Sequence, residues 1–397
     1  MMHLFLDGLG ASSSSGLTYL RNVVPHLSAQ PGLRTTVVVS PQLQEELGSL
    51  PNISFAEISF PASVSRRFWF EQANLPAVIR RSAADVLISA GNFALRHSPV
   101  PQILLSGNSL YTSSDFFRDL RRRRAYGIWW DTKIKAVLAK RSVRWADCTV
   151  APSQTFAEEL RRWTGGRVVR IYHGFDPEVF LRETEPLPQN VRQKIDSAHD
   201  ALRLLFVSHY NYYRNFETLF RAIPLLRARL GTRQVRLFLT CKLHSADNPG
   251  SYRAEGAAEL VRQLGIAAGV VELGTVPYRL LHQVYKACQV YVTPAYAETF
   301  AHPVVEAMAN GLPVVASDLP VHREICASAA HYFPRFSPEE LANQIALVAG
   351  NPELSAQLSA NGRQRACDFS WEKHVRQVVD LAARLKVGQV TELPAYA

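Results

Sequence analysis

Two glutamates, Glu298 and Glu306, are separated by seven residues in the segment QVYVTPAYAETFAHPVVEAMANG (289–311). This segment predicts a strand, a loop that holds Glu298, and a helix from Pro303, because proline fits the first helical position. A helix N-terminus carries about half a positive charge and favours a phosphate or diphosphate. In the first turn, Glu306 can accept two hydrogen bonds from a ribose diol. The pattern indicates a nucleotide site; the alternatives are a helix-dipole role for Glu306 and a solvated position for Glu298.

The backbone between the two glutamates offers further hydrogen-bond donors. The first amide groups of a helix have no partner within that helix. With a helix that begins at Pro303, the N–H groups of Phe300, Ala301 and His302 point towards the same ligand position. We therefore expect these three amides to contact an anion.

A second polar loop follows the strand-like run LRLLFVS (202–208). In this loop His209 and Arg214 flank three tyrosines, just before a predicted helix that begins near Asn215. An arginine there can bind a diphosphate through two hydrogen bonds and stabilise it as a leaving group. The alternative is a surface arginine in a polar turn.

A glycine-rich loop, DGLGASSSSGLTYL (7–20), follows the first strand-like run of the chain. Gly10 and Gly16 permit close approach of the backbone to a ligand. The spacing fits neither the dinucleotide-binding nor the P-loop pattern. A flexible turn is the alternative interpretation.

Short apolar runs alternate with amphipathic helical stretches throughout the chain. The predicted strands cover 3–7, 35–40, 85–90, 101–106, 148–153, 168–174, 202–208, 235–241, 270–274, 289–295, 313–317 and 331–333. This alternation predicts an α/β fold with parallel sheets and helices on both faces. Two such series, joined by a polar segment at 183–200, predict two doubly wound, Rossmann-like domains that face a central cleft. Ligands then bind beyond the carboxyl ends of the strands.

Length and composition exclude several classes of protein. A chain of 397 residues exceeds the size at which one hydrophobic core usually stops growing, so two domains are expected. Its five cysteines are scattered without a CxxC pair, which supports neither a disulfide framework nor a zinc site. The start of the chain lacks the basic region of a signal peptide, and no apolar stretch is long enough for a membrane helix. We expect a cytoplasmic protein that is at most peripheral to a membrane.

Positive charge is concentrated in the first half of the chain. Residues 1–171 hold 21 basic and 12 acidic residues (net +9), whereas residues 172–397 hold 23 and 22 (net +1). Most of the excess lies in 116–145, with ten basic residues, two acidic residues and six aromatic residues. A basic helix with aromatic residues is typical of an anionic membrane surface. The alternative is an ordinary helix with its aromatic rings in the core; no recognised motif supports nucleic-acid binding.

Together, the three loops resemble those of a known enzyme family. The stretch from Glu298 to Asp318 matches the E-x7-E signature of the retaining, two-Rossmann-domain glycosyltransferases of family 4, also called group 1. The resemblance covers nearly the whole chain, and ADCTVAPSQTFAEEL (146–160), RIYHGFDPEVF (170–180) and LGTVPYRLLHQVYKACQVYVTP (273–294) also resemble family segments. It implies the GT-B architecture, with an acceptor-side domain over 1–175 and a linker over 176–200. It also implies a nucleotide-sugar-binding domain over 201–368 and a helix over 369–397 that returns to the first domain.

The resemblance implies a role for each candidate residue. Glu306 binds the donor ribose, Glu298 contacts the donor sugar, and Phe300, Ala301 and His302 offer backbone N–H groups to the sugar and diphosphate. Arg214 replaces the family's usual lysine on the diphosphate, and His209 stands where an arginine is usual. Val276, after Gly274, lies by the nucleobase. The loop from Gly10 to Gly16 approaches the diphosphate or the acceptor.

Three departures from the family pattern concern the same loops. Thr299 and Ala301 stand where the family often has glycine. His209 is only partly protonated near neutral pH, so its contribution of charge is smaller than an arginine's. On the acceptor side, Asn108 occupies about the place of a His-Asp pair that is common in the family.

The implied reaction transfers a hexosyl unit from a nucleoside-diphosphate sugar, with GDP-mannose as a candidate, to a glycan or lipid-linked acceptor. The sequence holds no D-x-D, which favours stabilisation of the diphosphate by Arg214 and a helix terminus without a metal or other cofactor. Retention is expected without a protein nucleophile, since the departing diphosphate can take the acceptor's proton. The alternatives are a non-catalytic nucleotide-sugar-binding partner subunit and a related epimerase-like enzyme, which the form of the E-x7-E stretch disfavours.

Overall fold

The strands of the protein form two separate parallel sheets in the computed structural model, which describes residues 1–11, 14–56, 58 and 64–389. The strands are β1 (Met2–Asp7), β2 (Leu33–Val38), β3 (Ile53–Phe55), β4 (Val86–Ala90), β5 (Gln102–Leu105), β6 (Cys148–Ala151), β7 (Val168–Arg170), β8 (Leu202–Phe206), β9 (Val235–Leu239), β10 (Val270–Glu272), β11 (Val290–Thr293), β12 (Val314–Ser317) and β13 (Ala330–Phe333). These strands are short and almost wholly apolar, as expected when helices cover both faces of a parallel sheet. The prediction of two parallel-sheet α/β domains is confirmed.

Helices connect most successive strands, but β4 runs to β5 without one. They are α1 (Ser14–Ser28), α2 (Pro41–Leu47), α3 (Val64–Ser82), α4 (Ser114–Arg122), α5 (Tyr126–Trp145), α6 (Gln154–Thr164), α7 (Pro177–Leu181), α8 (Gln189–Asp196), α9 (Phe216–Leu230), α10 (Glu255–Gln263), α11 (Leu281–Lys286), α12 (His302–Ala309), α13 (Pro320–Cys326), α14 (Pro338–Gly350), α15 (Pro352–Ala366) and α16 (Trp371–Lys386). None of the helices in the described ranges is long and apolar enough to cross a membrane.

Both sheets reverse their strand order once. The first has the order β3-β2-β1-β4-β5-β6-β7 and the second β10-β9-β8-β11-β12-β13. Each central pair, β1 with β4 and β8 with β11, is parallel and marks the point where the order changes direction. In doubly wound sheets this switch point, at the carboxyl ends of the strands, is where ligands bind. The loops that matter are therefore those after β1, β4, β8 and β11.

The chain divides into two units whose boundaries differ from the predicted domains. Unit 1 holds Met1–Thr112, Trp129–Gly174 and the chain from Ser370 onward, and unit 2 holds Ser113–Ile128 and Phe175–Phe369. The predicted first domain, 1–175, therefore loses the stretch that contains α4. The predicted linker, 176–200, contains α7 and α8 and belongs to unit 2.

The last helix, α16, packs in unit 1. Tyr19 of α1 bonds through its hydroxyl to Nε2 of His374, at 2.8 Å. Nδ1 of that histidine lies 2.7 Å from the carbonyl oxygen of Tyr172. The chain passes so close to Trp371 at Gly174 that an added Cβ would lie 2.1 Å from the Trp371 amide nitrogen. Only glycine fits there without displacing the helix, which explains why this return of the chain needs Gly174.

The basic segment 116–145 divides between two environments. Its first part, α4, buries Phe116 and Leu120 in unit 2, as the alternative of a packed helix predicts. Most of its second part, α5, belongs to unit 1 and leaves Trp130, Ile134 and Val137 exposed. The aromatic residues of α4 therefore pack in a protein core, and contact of 116–145 with a membrane surface stays a prediction.

Candidate functional site

Two of the predicted residues meet at the switch point of the second sheet. The loop after β8 carries Arg214, and the loop after β11 carries Glu298. Arg214 donates from Nη1 to Oε2 of Glu298, while Oε1 of the same carboxylate accepts the N–H of Thr299 at 2.9 Å. The side chains of Arg214 and Glu298 are only 19% and 11% exposed. Parallel strand topology thus brings together residues that are 84 positions apart in sequence.

Electrostatics keep both members of this pair charged. Burial alone raises the pKa of Glu298, but the Arg214 charge and the Thr299 N–H outweigh it, so the net pKa is lowered. Burial likewise disfavours the charged form of Arg214, but Glu298 more than compensates and raises its pKa. Arg214 uses Nη1 for the carboxylate and also hydrogen-bonds to Tyr213.

One atom of that guanidinium is buried without a partner. Nε of Arg214 has no hydrogen-bond partner in the part of the chain that the structure describes. A buried donor without a partner costs about 1–3 kcal/mol, so the site favours an acceptor oxygen that would bind there. The geometry is suited to an anionic oxygen at the switch point.

His209 lies at the start of the same loop as Arg214. It is half-buried, and burial together with the Arg214 charge lowers the pKa of its imidazole. A neutral imidazole is therefore the main form near pH 7, and His209 offers hydrogen bonding rather than charge.

Glu306 lies on α12 and is 4% exposed. Its Oε2 accepts a hydrogen bond of 2.8 Å from the hydroxyl of Tyr285, and Tyr278 bonds to the same carboxylate. Burial raises the pKa of Glu306 to about 7, although the two tyrosines act in the opposite direction. The carboxyl group therefore changes its protonation state near neutral pH.

Helix α12 begins one residue earlier than predicted, at His302, with Pro303 second. Its N-cap, Ala301, has φ 66° and ψ 59°, in the left-handed region. An L-residue there costs roughly 1–2 kcal/mol relative to the right-handed region, whereas glycine does not. This geometry explains why the resembling family often has glycine at this position and shows that Ala301 adopts the backbone conformation that glycine favours.

The residues that flank Ala301 are largely packed. Phe300 is 2% exposed, and its ring centroid lies 5.2 Å from that of Phe369. Burial lowers the pKa of His302 to about 4, so its ring is neutral at pH 7. Thr299 is buried as well. Side chains of this loop thus hold its backbone in place, at the N-terminus of α12.

The predicted base-side residues lie in the loop after β10. Gly274 has φ 77°, and Val276 is buried. Tyr278, two residues further on, reaches the carboxylate of Glu306. The structure therefore brings this loop next to Glu306.

The predicted residues of unit 1 have structural roles. Gly10 lies against Gly91, which follows β4, and an added Cβ would be 3.0 Å from both the Gly91 Cα and the Ala90 carbonyl oxygen. Gly16 is in α1. Asn108 caps the short 3-10 helix Ser109–Tyr111, since its Oδ1 accepts the N–H of Leu110 at 3.0 Å. Ser12 and Ser13, between the two glycines, lie outside the described residues.

Sequence reasoning missed several residues that the structure places at these loops. Asp7, at the end of β1, and Glu71, on α3, form a buried acidic pair, each 5% exposed. Burial and the nearby Asp7 raise the pKa of Glu71, and burial raises that of Asp7. A lone glutamate in the apolar run FWFEQANL (68–75) is the signal that indicates a buried acid. Tyr285, the partner of Glu306, had no such signal.

Among the residues described, no three His, Cys, Asp or Glu side chains are grouped so as to hold a metal ion. The metal-free donor site stays a prediction, because a nucleotide sugar can itself supply ligands to a metal.

Two family profiles match the chain. Residues 17–179 match the profile described as "Glycosyltransferase Family 4", and residues 189–365 match "Glycosyl transferases group 1". The first covers much of unit 1, and the second covers most of unit 2, including both loops of the switch point.

Curated relatives are similar over part of their length. The chain is 27% identical over 244 residues to D-inositol 3-phosphate glycosyltransferase 2 of Catenulispora acidiphila, which covers 60% of this chain and 56% of the relative. It is 27% identical over 222 residues to an uncharacterised glycosyltransferase of Methanocaldococcus jannaschii, which covers 54% and 53% of the two chains. The chain thus spans about half the length of the curated relatives it matches.

Solved structures share the fold over nearly the whole chain. Sucrose-phosphate synthase from Thermosynechococcus elongatus has a TM-score of 0.75 at 18% identity and covers 98% of this chain and 100% of its own. Anabaena HepE, solved in complex with UDP, has a TM-score of 0.68 at 20% identity and covers 96% and 100%. Both profile matches together extend over most of the sequence and both sheets, and on that basis the chain belongs to the group 1, family 4 glycosyltransferases of GT-B fold.

Proposed function

We propose that the protein transfers a hexosyl unit from a nucleoside-diphosphate sugar to a hydroxyl of a glycan or lipid-linked acceptor, with retention and without a metal. The observation that carries the proposal is the Arg214–Glu298 ion pair at the switch point of unit 2, with the buried Nε–H of Arg214 unpartnered among the described residues. A fixed cation with an unused donor favours an anionic leaving group more than a neutral ligand.

The helix N-terminus and Glu306 support the same ligand. Helix α12 begins directly after the loop that holds Glu298, so its positive end adds to the charge of Arg214. A carboxylate offers about four acceptor positions, so Glu306 can accept a ribose hydroxyl besides the hydroxyls of Tyr285 and Tyr278. A diphosphate beside Arg214 and a ribose beside Glu306 would be two parts of one ligand, a nucleoside diphosphate.

The proposed retention assigns no nucleophilic role to Glu298. Both of its oxygens already accept hydrogen bonds, from Arg214 and from the Thr299 amide, which makes it a poor nucleophile. In the proposed step the bond from the anomeric carbon to the diphosphate oxygen breaks, and a bond to the acceptor oxygen forms on the same face. The acceptor's proton passes to the departing diphosphate, whose negative charge Arg214 stabilises.

The identity of the donor is the finer part of the proposal. GDP-mannose is the donor that we expect first from the breadth of the family. UDP donors are the main competitors, since HepE, with which this chain shares its fold, was solved with UDP. Val276, which we expect beside the base, is apolar and favours neither nucleotide by charge.

A helical stripe on α5 supports a membrane-bound acceptor. Trp130, Ile134 and Val137 are 63%, 60% and 53% exposed and recur at helical spacing on one face. Arg141, also exposed, continues that face, and the exposed Lys133 lies beside it. Aromatic and aliphatic side chains with basic neighbours suit the interface of an anionic bilayer. We propose that this stripe brings the enzyme to a lipid-linked acceptor.

Vesicle pelleting tests the membrane component. The full chain should pellet with vesicles that contain anionic lipid and much less with purely zwitterionic ones. Trp130→Ser with Ile134→Ser should reduce pelleting severalfold, whereas Arg192→Ser, an exposed change on α8, should not. Equal pelleting of all variants on both vesicles would remove the membrane component and leave the transfer reaction unaffected.

A donor screen tests the transfer reaction itself. Thermal shifts with nucleotides and nucleotide sugars select the base, and release of nucleoside diphosphate from those donors with hydroxyl acceptors then measures turnover. Glu306→Ala should lose the thermal shift, while Glu353→Ala, an exposed change on α15, should retain it. Nucleotide binding without turnover of any donor would favour the alternative of a binding subunit. Neither binding nor turnover would overturn the assignment of the site.

A further inference from the structure

Helix α4 occupies an unexpected place in the protein. In sequence it lies between β5 and β6, two strands of the first sheet, yet it is part of unit 2. There it packs beside the turn Tyr212–Arg214, and the ring of Phe116 meets that of Tyr213 edge-on, with centroids 6.2 Å apart. A segment from the amino-terminal half thus adjoins the loop that carries Arg214.

Asp119 connects α4 to the loop that carries Glu298. Its Oδ2 accepts the hydroxyl of Tyr296 at 2.9 Å and Nε of Arg123 at 2.8 Å. Tyr296 is two residues before Glu298, and its own N–H donates to the carbonyl oxygen of Tyr213 at 2.9 Å. Asp119 therefore acts on the backbone that positions Glu298.

Arg123 connects the same cluster to the loop that carries Arg214. Its Nη2 pairs with Oε1 of Glu217, on α9, at 2.8 Å. Its guanidinium carbon lies 4.3 Å from the ring centroid of Tyr212, two residues before Arg214. One side chain thus fixes both the turn before Arg214 and the helix after it.

A second ion pair strengthens this connection. Asp115 of α4 accepts Nε of Arg335 at 3.1 Å and also pairs with its Nη2 at 3.0 Å. The carbonyl oxygen of Arg335 accepts Nδ2 of Asn215 at 2.7 Å, and the same amide donates to the carbonyl oxygen of Pro294 at 3.0 Å. Asn215 follows Arg214 directly, so α4 reaches both loops by two routes.

The cluster is shielded from solvent, and each of its carboxylates is paired with an arginine. The side chains of Asp119, Arg123 and Glu217 are 12%, 22% and 19% exposed. Burial, followed by the charge of Asp119, raises the pKa of Tyr296, which stays a hydrogen-bond donor at neutral pH. Removing one member leaves its partners unpaired in a poorly solvated place, where such losses are large.

We infer that Asp119 and Arg123 are positioning residues that hold the Arg214 loop and the Glu298 loop at the relative position that transfer requires. This inference rests on the proposed function of the pair Arg214–Glu298. Neither residue needs to touch the donor, because each acts through Tyr296, Tyr212 or Glu217. A shift of about 1 Å in a reacting group can cost about 10²-fold in rate.

Kinetics distinguish positioning from a general loss of structure. Arg123→Gln and Asp119→Asn should each lower kcat by about tenfold to 10²-fold, while the Kd of the nucleoside diphosphate selected in the donor screen changes less than threefold. Tyr296→Phe removes a single hydroxyl and should lower kcat in the same direction. Arg122→Gln, the same charge change at an exposed neighbouring position, should match the wild type in both.

Combining variants tests whether these residues act as one unit. Asp119→Asn with Tyr296→Phe should be no slower than the slower single variant, since both remove the same connection. Multiplied effects would contradict the inference. If Arg123→Gln fails to fold, Tyr296→Phe and Asp119→Asn decide it.

Hydrogen exchange of the full chain tests the same inference without a donor. Amides in 207–216 and 294–302 should exchange faster in Arg123→Gln and Asp119→Asn than in Arg122→Gln, with the rest of unit 2 unchanged. Unaltered exchange in both loops, with wild-type kcat, overturns the inference. Faster exchange in a protein that turns over no donor would retain the positioning role and refute only the proposed function.

Discussion

The two sheets reverse at equivalent places, but the residues at the two switch points differ in kind. In unit 2 the loops after β8 and β11 contribute Arg214 and Glu298, which form an ion pair. In unit 1 the loops after β1 and β4 contribute Gly10 and Gly91, whose backbones approach so closely that an added Cβ on either would clash. The same topology therefore provides one switch point built from charge and another built from close backbone contact.

The buried acids of the two units differ in a related way. Glu298 has a cation beside it, so its pKa is lowered despite burial. Glu71 has Arg67 at 3.5 Å, but burial and the nearby acid Asp7 outweigh that arginine and raise the pKa of Glu71. Unit 2 is thus prepared for an anionic ligand, whereas the acids of unit 1 favour protonation.

The largest effect should come from removing the cation of unit 2. Arg214→Ala should lower kcat by about 10²–10³-fold, because a leaving diphosphate loses its main stabilising charge. Arg214→Lys should recover part of this loss, since lysine keeps the positive charge but cannot bind the diphosphate through two parallel hydrogen bonds. Steady-state release of nucleoside diphosphate measures both, with Arg221→Ala, exposed on α9, as the control. A kcat within threefold of the wild type would refute the claim that the switch point of unit 2 acts through the charge of Arg214.

Loss of Glu306 should mainly weaken binding. Glu306→Ala removes the acceptor for the ribose and should raise the Kd of the nucleotide about 10–10²-fold, the size expected for hydrogen bonds to a charged group. Its kcat at saturating donor should fall much less than that of Arg214→Ala. Isothermal titration calorimetry and saturation kinetics separate the two effects. An unchanged Kd would mean that the base and ribose lie elsewhere.

Nucleotide affinity should depend on pH through the same group. The pKa of Glu306 is about 7 in the unliganded protein, and the ribose needs its ionised form, so binding below pH 7 must release a proton. Affinity should therefore fall as the pH drops, by up to about tenfold per pH unit. Calorimetry between pH 5.5 and 8.5 checks this, with Glu306→Gln expected to keep only the shallower dependence that the nucleotide's own terminal phosphate adds. A wild-type profile as flat as that of the variant would contradict the assignment.

The smallest effect should come from the acidic pair of unit 1. The folded-state pKa of Glu71 lies above its unfolded value, so its contribution to stability is present at low pH and is lost as the pH rises through the folded value. Glu71→Gln avoids that loss and should be more stable than the wild type above pH 8, by about 1 kcal/mol or more. Urea unfolding at pH 6 and pH 9 measures this, and nucleotide affinity should stay the same. A variant that is less stable than the wild type at pH 9 would show that the ion pair of Glu71 with Arg67, at 3.5 Å, outweighs the effect of burial.

Much of the fold was predictable because parallel strands leave a strong signal. Twelve runs of short apolar sequence were predicted, and each contains a strand, whereas β3 (Ile53–Phe55) was missed because it is only three residues long and half-exposed. The loops of the donor side were also predictable, since Glu298, Glu306 and Arg214 lie in polar segments that directly follow predicted strands. Their pairing was not, because residues far apart in sequence meet only through the strand order.

The parts that escaped prediction depend on tertiary packing. Helix α4 has a basic, aromatic sequence that also suits a membrane surface, and only the partners of Asp119 and Arg123 show that it packs in unit 2. Asn108 and Gly10 were predicted near a ligand from the family resemblance and from loop position; the structure adds a cap and a close backbone contact, and their contact with a ligand stays a prediction. Loop position locates a site, but the side-chain partners decide its chemistry.

One calorimetric comparison tests the central claim, that unit 2 holds the diphosphate of a nucleotide through Arg214. The nucleoside diphosphate selected by thermal shift and its monophosphate are each titrated into the wild type and into Arg214→Ala. We predict that the wild type binds the diphosphate at least about tenfold more tightly than the monophosphate, the size of one charge-assisted hydrogen bond, and that most of this preference disappears in Arg214→Ala. An equal preference in both proteins would contradict the claim.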